Sequence, residues 1–205
     1  MISKEEILSN LNNFGYCVVP GYWTSERCDL ALQEVYSLPM HVFENGQGGD
    51  VRCQHSNRHI KSANEFINDS FILDIAKRYS SCNTPNRTVA GILNFRTGEN
   101  IDSGGGWHLD SKKEHQFKSM LYLTNVSEDN GPFMFVANSK ESVKDLPTFS
   151  NLRIMDEAIV KNYKNEDIIE ITGRAGTLVM FDSTFPHRGK RIDADSRVAY
   201  TTYFY

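Results

Sequence analysis

Residues 176–205 read GTLVMFDSTFPHRGKRIDADSRVAYTTYFY, and this stretch decides the fold class. Thr177 to Asp182 is an apolar run too short for a buried helix, and Val198 to Tyr205 is rich in β-branched and aromatic residues, so both read as strands. Between them lie Phe185-Pro186-His187-Arg188 and the turn Ile192-Asp193-Ala194-Asp195. Working back from this stretch, the same texture extends to Thr88. It predicts strands over Val89 to Arg96, Gly106 to Asp110, Lys118 to Asn125, Phe133 to Val136 and Glu170 to Ile171, punctuated by Gly98, Gly104 to Gly106, Asn130-Gly131, Gly173 and Gly176.

The first third reads differently. Ser3 followed by Glu6 forms a capping box, and Ile7, Leu8 and Leu11 recur at helical spacing, which predicts a helix over residues 4–13. Tyr16 to Val19 is a short strand closed by Pro20-Gly21. Ser25 then caps a second helix, with Cys28, Ala31, Leu32, Val35 and Leu38 on one stripe. Residues 41–64, polar and glycine-containing, read as a long loop whose Arg52 and Arg58 are placed to meet an anionic or polar substrate. A third helix fits Ser70 to Tyr79. Many short strands behind a helical front make a mainly β fold with flanking helices, a sandwich or barrel forming one domain over residues 1–205.

The bulk numbers narrow the function classes. With 26 acidic against 22 basic residues, the formal charge is −4, so no overall field draws the protein to nucleic acid or anionic lipid. No stretch approaches a membrane span, and the acidic start Ser3-Lys4-Glu5-Glu6 does not resemble a secretion signal, so the expectation is a cytoplasmic protein. Cys17, Cys28, Cys53 and Cys82 form no Cys-x-x-Cys pair and read as free thiols. The sequence does not speak to oligomeric state.

Trp107-His108-Leu109-Asp110 places an imidazole and a carboxylate two residues apart, and side chains at that spacing project from one face of an extended chain. His187, just beyond the apolar run ending at Phe181, is the candidate third ligand. Two imidazoles and one carboxylate on one side of a metal suit iron(II) and leave positions open for reactants. A dicarboxylate co-substrate needs a buried cation, because an unpaired carboxylate is costly to bury and a guanidinium pairs it with two parallel hydrogen bonds. Arg197, ten positions after His187 and opening the last strand, fits that need. Arg188 and Arg191 fall in the turn and read as surface charges. His41, His55, His59 and His115 lie in polar segments and read as solvent-facing, and Trp107 reads as packing beside the site.

Four stretches together resemble the phytanoyl-CoA dioxygenase family of iron/2-oxoglutarate oxygenases, a branch that includes ectoine hydroxylases. These are Phe14 to Gly21, Trp107 to Asp110, Glu128 to Phe133 followed by Asn138 to Lys140, and Gly176 to Asp182 followed by His187 and Arg197. The resemblance implies a double-stranded β-helix (jelly roll, cupin-like). It implies Fe(II) held by His108, Asp110 and His187, with 2-oxoglutarate and dioxygen as co-substrates. It also implies hydroxylation of an unactivated C–H bond of a small-molecule substrate, with release of succinate and carbon dioxide. Asn94 and Arg96, with Tyr122 or Thr124, resemble positions from which relatives reach 2-oxoglutarate. Relatives that halogenate lack the carboxylate, so Asp110 favours oxygen transfer. Another metal-dependent cupin enzyme, or a jelly-roll binding protein without catalysis, stands as the alternative.

Overall fold

The computed structural model describes residues 2–45, 50–82, 84–94, 106–112, 116–139 and 142–204. In chain order its helices and strands are α1 (Lys4–Phe14), β1 (Tyr16–Val19), α2 (Ser25–Tyr36), β2 (Glu44–Asn45), β3 (Val51–Cys53), α3 (Lys61–Ile67), α4 (Ser70–Ser80), β4 (Pro85–Asn94), β5 (Phe117–Tyr122), β6 (Phe133–Val136), α5 (Asp156–Asn162), β7 (Ile168–Ile171), β8 (Leu178–Asp182), β9 (His187–Gly189) and β10 (Ser196–Phe204). Among the described residues the strands form a seven-stranded sheet, ordered β1-β8-β5-β10-β4-β3-β2, and a three-stranded sheet, β7-β6-β9. Every pairing within these sheets is antiparallel.

The large sheet is covered on both faces, which explains why β8 reads as an unbroken apolar run. Leu178 and Met180 point to the helical side and pack with Ile7, Leu11, Cys28, Val35, Phe66 and Ile75. Val179 and Phe181 point the other way and meet Phe133, Phe135 and Ile171 of the small sheet. Strand β10 alternates in the same manner, with Val198, Tyr200 and Phe204 in the helical core and Ala199 between the sheets. A third cluster of Trp107, Leu109, Met134, Val136, Leu146, Ile154 and Ile159 closes the outer face of the small sheet. The result is the jelly roll that the resemblance implies.

Several boundaries depart from the sequence reading. Thr24, not Ser25, caps α2, its hydroxyl accepting from the Arg27 amide at 3.3 Å. The predicted loop over 41–64 contains β2, β3 and the first turn of α3, and it buries Cys53, Ser56, Ile60 and Ala63. Within it Asp50 and Arg52 face a cavity, while His41, Glu44, Asn45, Arg58, His59, Lys61 and Asn64 are exposed. Among the described residues the predicted strand over 106–110 reduces to one bridging residue, His108, which pairs with His187 of the three-residue β9 and with Arg153. His108 and His187 exchange both backbone hydrogen bonds at 3.1 Å, and the Asp110 amide donates to the Ser183 carbonyl at 3.0 Å. Helix α5 has no counterpart in the sequence reading.

Candidate metal centre

The paired bridge at His108 and His187 sets two imidazoles side by side, with ring centroids 4.3 Å apart. Asp110, one pleat further on, turns its carboxylate to both. Its Oδ1 lies 3.9 Å from His108 Nε2 and its Oδ2 3.5 Å from His187 Nε2. One ligand atom from each of the three residues falls within 4.8 Å of the others. The separation that places these residues far apart in the sequence is thus closed by one antiparallel bridge, as the alternation argument requires.

The donor set fits a divalent metal. His108 Nδ1 lies 2.9 Å from the Gly106 carbonyl oxygen, and His187 Nδ1 lies 2.9 Å from that of Phe185. Each carbonyl accepts the Nδ1 proton, which leaves the Nε2 lone pairs free and aimed at the shared centre. Burial and the neighbouring His187 hold the His108 pKa well below the ordinary imidazole range, so this ring stays neutral and competent as a ligand. Burial by itself would raise the Asp110 pKa. The Lys118 ammonium, followed by His187, outweighs it and keeps the carboxylate well below its usual range, hence ionised.

The three residues form part of the wall of a cavity of about 270 Å³. Its floor is the inward face of the large sheet: Val89, Gly91 and Leu93 of β4, Lys118 and Met120 of β5, Phe181 of β8, and Arg197, Ala199, Thr201 and Tyr203 of β10. Phe133 and Gly189 contribute from the small sheet. Arg197 is 7% exposed, and its guanidinium donates to the Gly131 carbonyl. Gly131 has φ +67°, and a Cβ there would lie 2.9 Å from the Lys190 carbonyl oxygen, so the Asn130-Gly131 turn presents that carbonyl in a conformation glycine favours. Burial lowers the Arg197 pKa, opposed by Tyr122 and Asp50.

The remaining predicted site residues are placed as follows. Tyr122 is fully buried, its hydroxyl donating to the Ile171 carbonyl at 2.8 Å and accepting from the Phe133 amide at 3.1 Å, so it links the two sheets behind Arg197. The Thr124 hydroxyl accepts from the Val198 amide at 3.1 Å. Asn94 is the exposed last residue of β4, paired with Ser196, and Arg96 lies outside the described residues. Neither Asn94, Tyr122 nor Thr124 lines the cavity. Arg52 does, held to Asp50 at 2.9 Å, whereas Arg58 does not. Arg188 is not the plain surface charge expected of a turn residue: it borders the cavity, and its guanidinium lies 4.8 Å from the Trp107 ring centre. Trp107 packs in the outer cluster, as expected.

Sequence reasoning missed Lys118, Asp50, Arg153 and Tyr203, all cavity residues. A signal existed for two of them. Lys118 stands on the inward phase of an otherwise apolar strand, and Asp50 is two residues from Arg52 on one face of an extended segment.

A jelly roll with two histidines and an aspartate converging inside it defines a class, the jelly-roll proteins with a mononuclear metal-type site. The sequence places the chain within it: the model of the phytanoyl-CoA dioxygenase (PhyH) family matches residues 11–199, and the chain belongs to that family. No curated protein matches the sequence significantly. Among solved structures, the epimerase SnoN in complex with Fe3+, alpha ketoglutarate and nogalamycin RO is similar at TM-score 0.78 and 14% identity, covering 98% of this chain and 82% of that one. The alpha-ketoglutarate-dependent carbocyclase SnoK from nogalamycin biosynthesis gives 0.76 and 14%, over 99% and 84%. HygX from Streptomyces hygroscopicus, with nickel and 2-oxoglutarate bound, gives 0.70 and 11%, over 100% and 87%. At these identities the likeness is one of fold.

Proposed function

We propose that the protein is an iron(II)- and 2-oxoglutarate-dependent oxygenase that hydroxylates an unactivated C–H bond of a small-molecule substrate, with release of succinate and carbon dioxide. The observation that carries this reading is the convergence of His108, Asp110 and His187 within 4.8 Å, on the wall of a cavity that also holds the buried Arg197. Family membership supports it, as do the metals and 2-oxo acid named with similar structures.

Iron, bound with 2-oxoglutarate and dioxygen, supplies the oxidising power that no side chain has. The protein's part is placement. His108, Asp110 and His187 would hold the iron, a three-residue donor set that leaves positions open to reactants. Arg197 would pair the far carboxylate of 2-oxoglutarate, its guanidinium oriented by the Gly131 carbonyl. Leu93, Met120, Phe133 and Phe181 keep water from the reacting atoms. Asp110 would supply a carboxylate ligand where relatives that halogenate lack one, which favours oxygen transfer. SnoN and SnoK are named for epimerisation and ring closure, and Asp110 argues against halogenation alone, so the choice of hydroxylation rests on the family resemblance. Residues 1–205 are read as one functional unit. The four free thiols suit a reducing compartment such as the cytoplasm.

The test is anaerobic reconstitution with Fe(II) and 2-oxoglutarate, followed by admission of oxygen and measurement of succinate. Wild type forms succinate, faster with extracts containing the substrate. His108→Ala and Asp110→Ala form none, and His108→Ala keeps the wild-type circular dichroism spectrum. Succinate formation at the wild-type rate in either variant overturns the assignment.

A further inference from the structure

Lys118 is 4% exposed, and its ammonium is paired with Oδ2 of Asp110. It also lies 4.2 Å from the centre of the Tyr203 ring. A lysine so thoroughly enclosed needs compensation of its charge, and here a candidate metal ligand supplies it. The two demands on Asp110 compete. A divalent cation between the two Nε2 atoms and this carboxylate draws the same negative charge that now neutralises Lys118, and it repels the ammonium as well.

Strand register says which ligand Lys118 would then face. Lys118 of β5 is opposite Tyr203 of β10 and opposite Phe181 of β8. Arg197 is six positions back along β10 from Tyr203, roughly 20 Å at the usual rise per residue. The triad stands at the Lys118 end, since Asp110 touches Lys118 and the His187 ring lies 5.5 Å from that of Phe181. A 2-oxo acid reaching from the metal to Arg197 therefore extends away from Lys118. Its two carboxylates are engaged by the metal and by Arg197, and the volume beside Lys118 is left to the primary substrate. Arg52 and Arg153 line the same cavity, Arg52 ion-paired with Asp50 at 2.9 Å.

We propose that Lys118 selects a substrate bearing an anionic group, a carboxylate or a phosphate, and passes its ammonium from Asp110 to that group when the metal claims the carboxylate. This deepens the reading above and rests on it. Lys118 is then a specificity residue whose anion site is weak without metal and strong with it.

The experiment is calorimetric titration of the full chain, first with Ni(II) and 2-oxoglutarate, then with three probes of similar shape: benzoate, phenyl phosphate and the neutral benzyl alcohol. With nickel and 2-oxoglutarate saturating, at least one anionic probe binds tenfold or more tightly than benzyl alcohol, and the better of the two identifies the anionic group. Without metal that preference shrinks. Lys118→Met abolishes it and Lys118→Arg restores it, a pattern that a merely structural lysine does not produce. Equal binding of anionic and neutral probes by the loaded wild type, or an undiminished preference in Lys118→Met, overturns the inference and leaves the oxygenase reading intact. Failure of Ni(II) to bind overturns both.

Discussion

His108 is enclosed beside a second imidazole, and both circumstances favour its uncharged form. The consequence for stability has a definite sign. An unfolded histidine takes up its proton at about pH 6.5. The folded ring does so only at lower pH, so below about 6.5 the unfolded chain binds more protons and acid drives unfolding. The Asp110 carboxylate is also depressed. Its contribution is intact above the unfolded value of about 3.9 and is lost as pH falls through the lower folded value. The metal-free protein should therefore lose stability between pH 7 and 5, by up to about 1.4 kcal/mol per pH unit from His108 alone. Thermal melts of wild type and His108→Gln check this. The variant should show a smaller drop over that interval, and an equal drop assigns the acid sensitivity to another group. At this scale the triad was legible because the His-x-Asp spacing carries its meaning locally, and His187 follows directly from the strand before it. Arg153 was not. It reaches the cavity through Asn151 and Leu152, both at φ +57°, in a segment with no periodicity to read.

At the scale of elements, the two sheets are joined by more than apolar contact. The Tyr122 hydroxyl donates to Ile171 of β7 and accepts from Phe133 of β6, so one side chain of β5 satisfies two backbone groups of the small sheet. Tyr122→Phe keeps the ring and leaves those groups buried without that partner, a cost of about 1–3 kcal/mol. Urea unfolding should show a lower midpoint with an unchanged slope. A midpoint within error of wild type means that water or a backbone shift replaces the hydroxyl. The elements that were legible commit at least one full face to apolar neighbours, such as α1, β1, α4, β8 and β10, where period and burial agree. Those that were missed serve a wall of the cavity or are very short. Strand β3 carries Arg52 inward, β9 is three residues long, and α5 buries only Ile159 fully.

Across the whole molecule, the candidate ligands come from separate regions of the fold. His108 and Asp110 precede β5, His187 opens β9 of the small sheet, and Arg197 begins β10 of the large one. A ligand that touches all of these ties the two sheets together and must favour the folded state. At one hundred times its dissociation constant, a ligand binding only the native form adds about 2.7 kcal/mol. For a domain of this size that corresponds to a melting-temperature rise of roughly 5–10 °C. Ni(II) alone should give one such increment, and 2-oxoglutarate added afterwards a second, with a chelator removing both. Arg197→Ala separates them. It leaves the three metal ligands untouched and should retain the nickel increment, while the second shrinks or disappears because the far carboxylate loses a charge-assisted pair worth about 2–5 kcal/mol when truncated in a buried setting. Differential scanning fluorimetry on six samples suffices: each protein alone, with nickel, and with nickel and 2-oxoglutarate. A second increment of equal size in both proteins moves the carboxylate site away from Arg197. Loss of both increments in the variant shows instead that the guanidinium holds the sheets in the arrangement that brings His187 to His108 and Asp110.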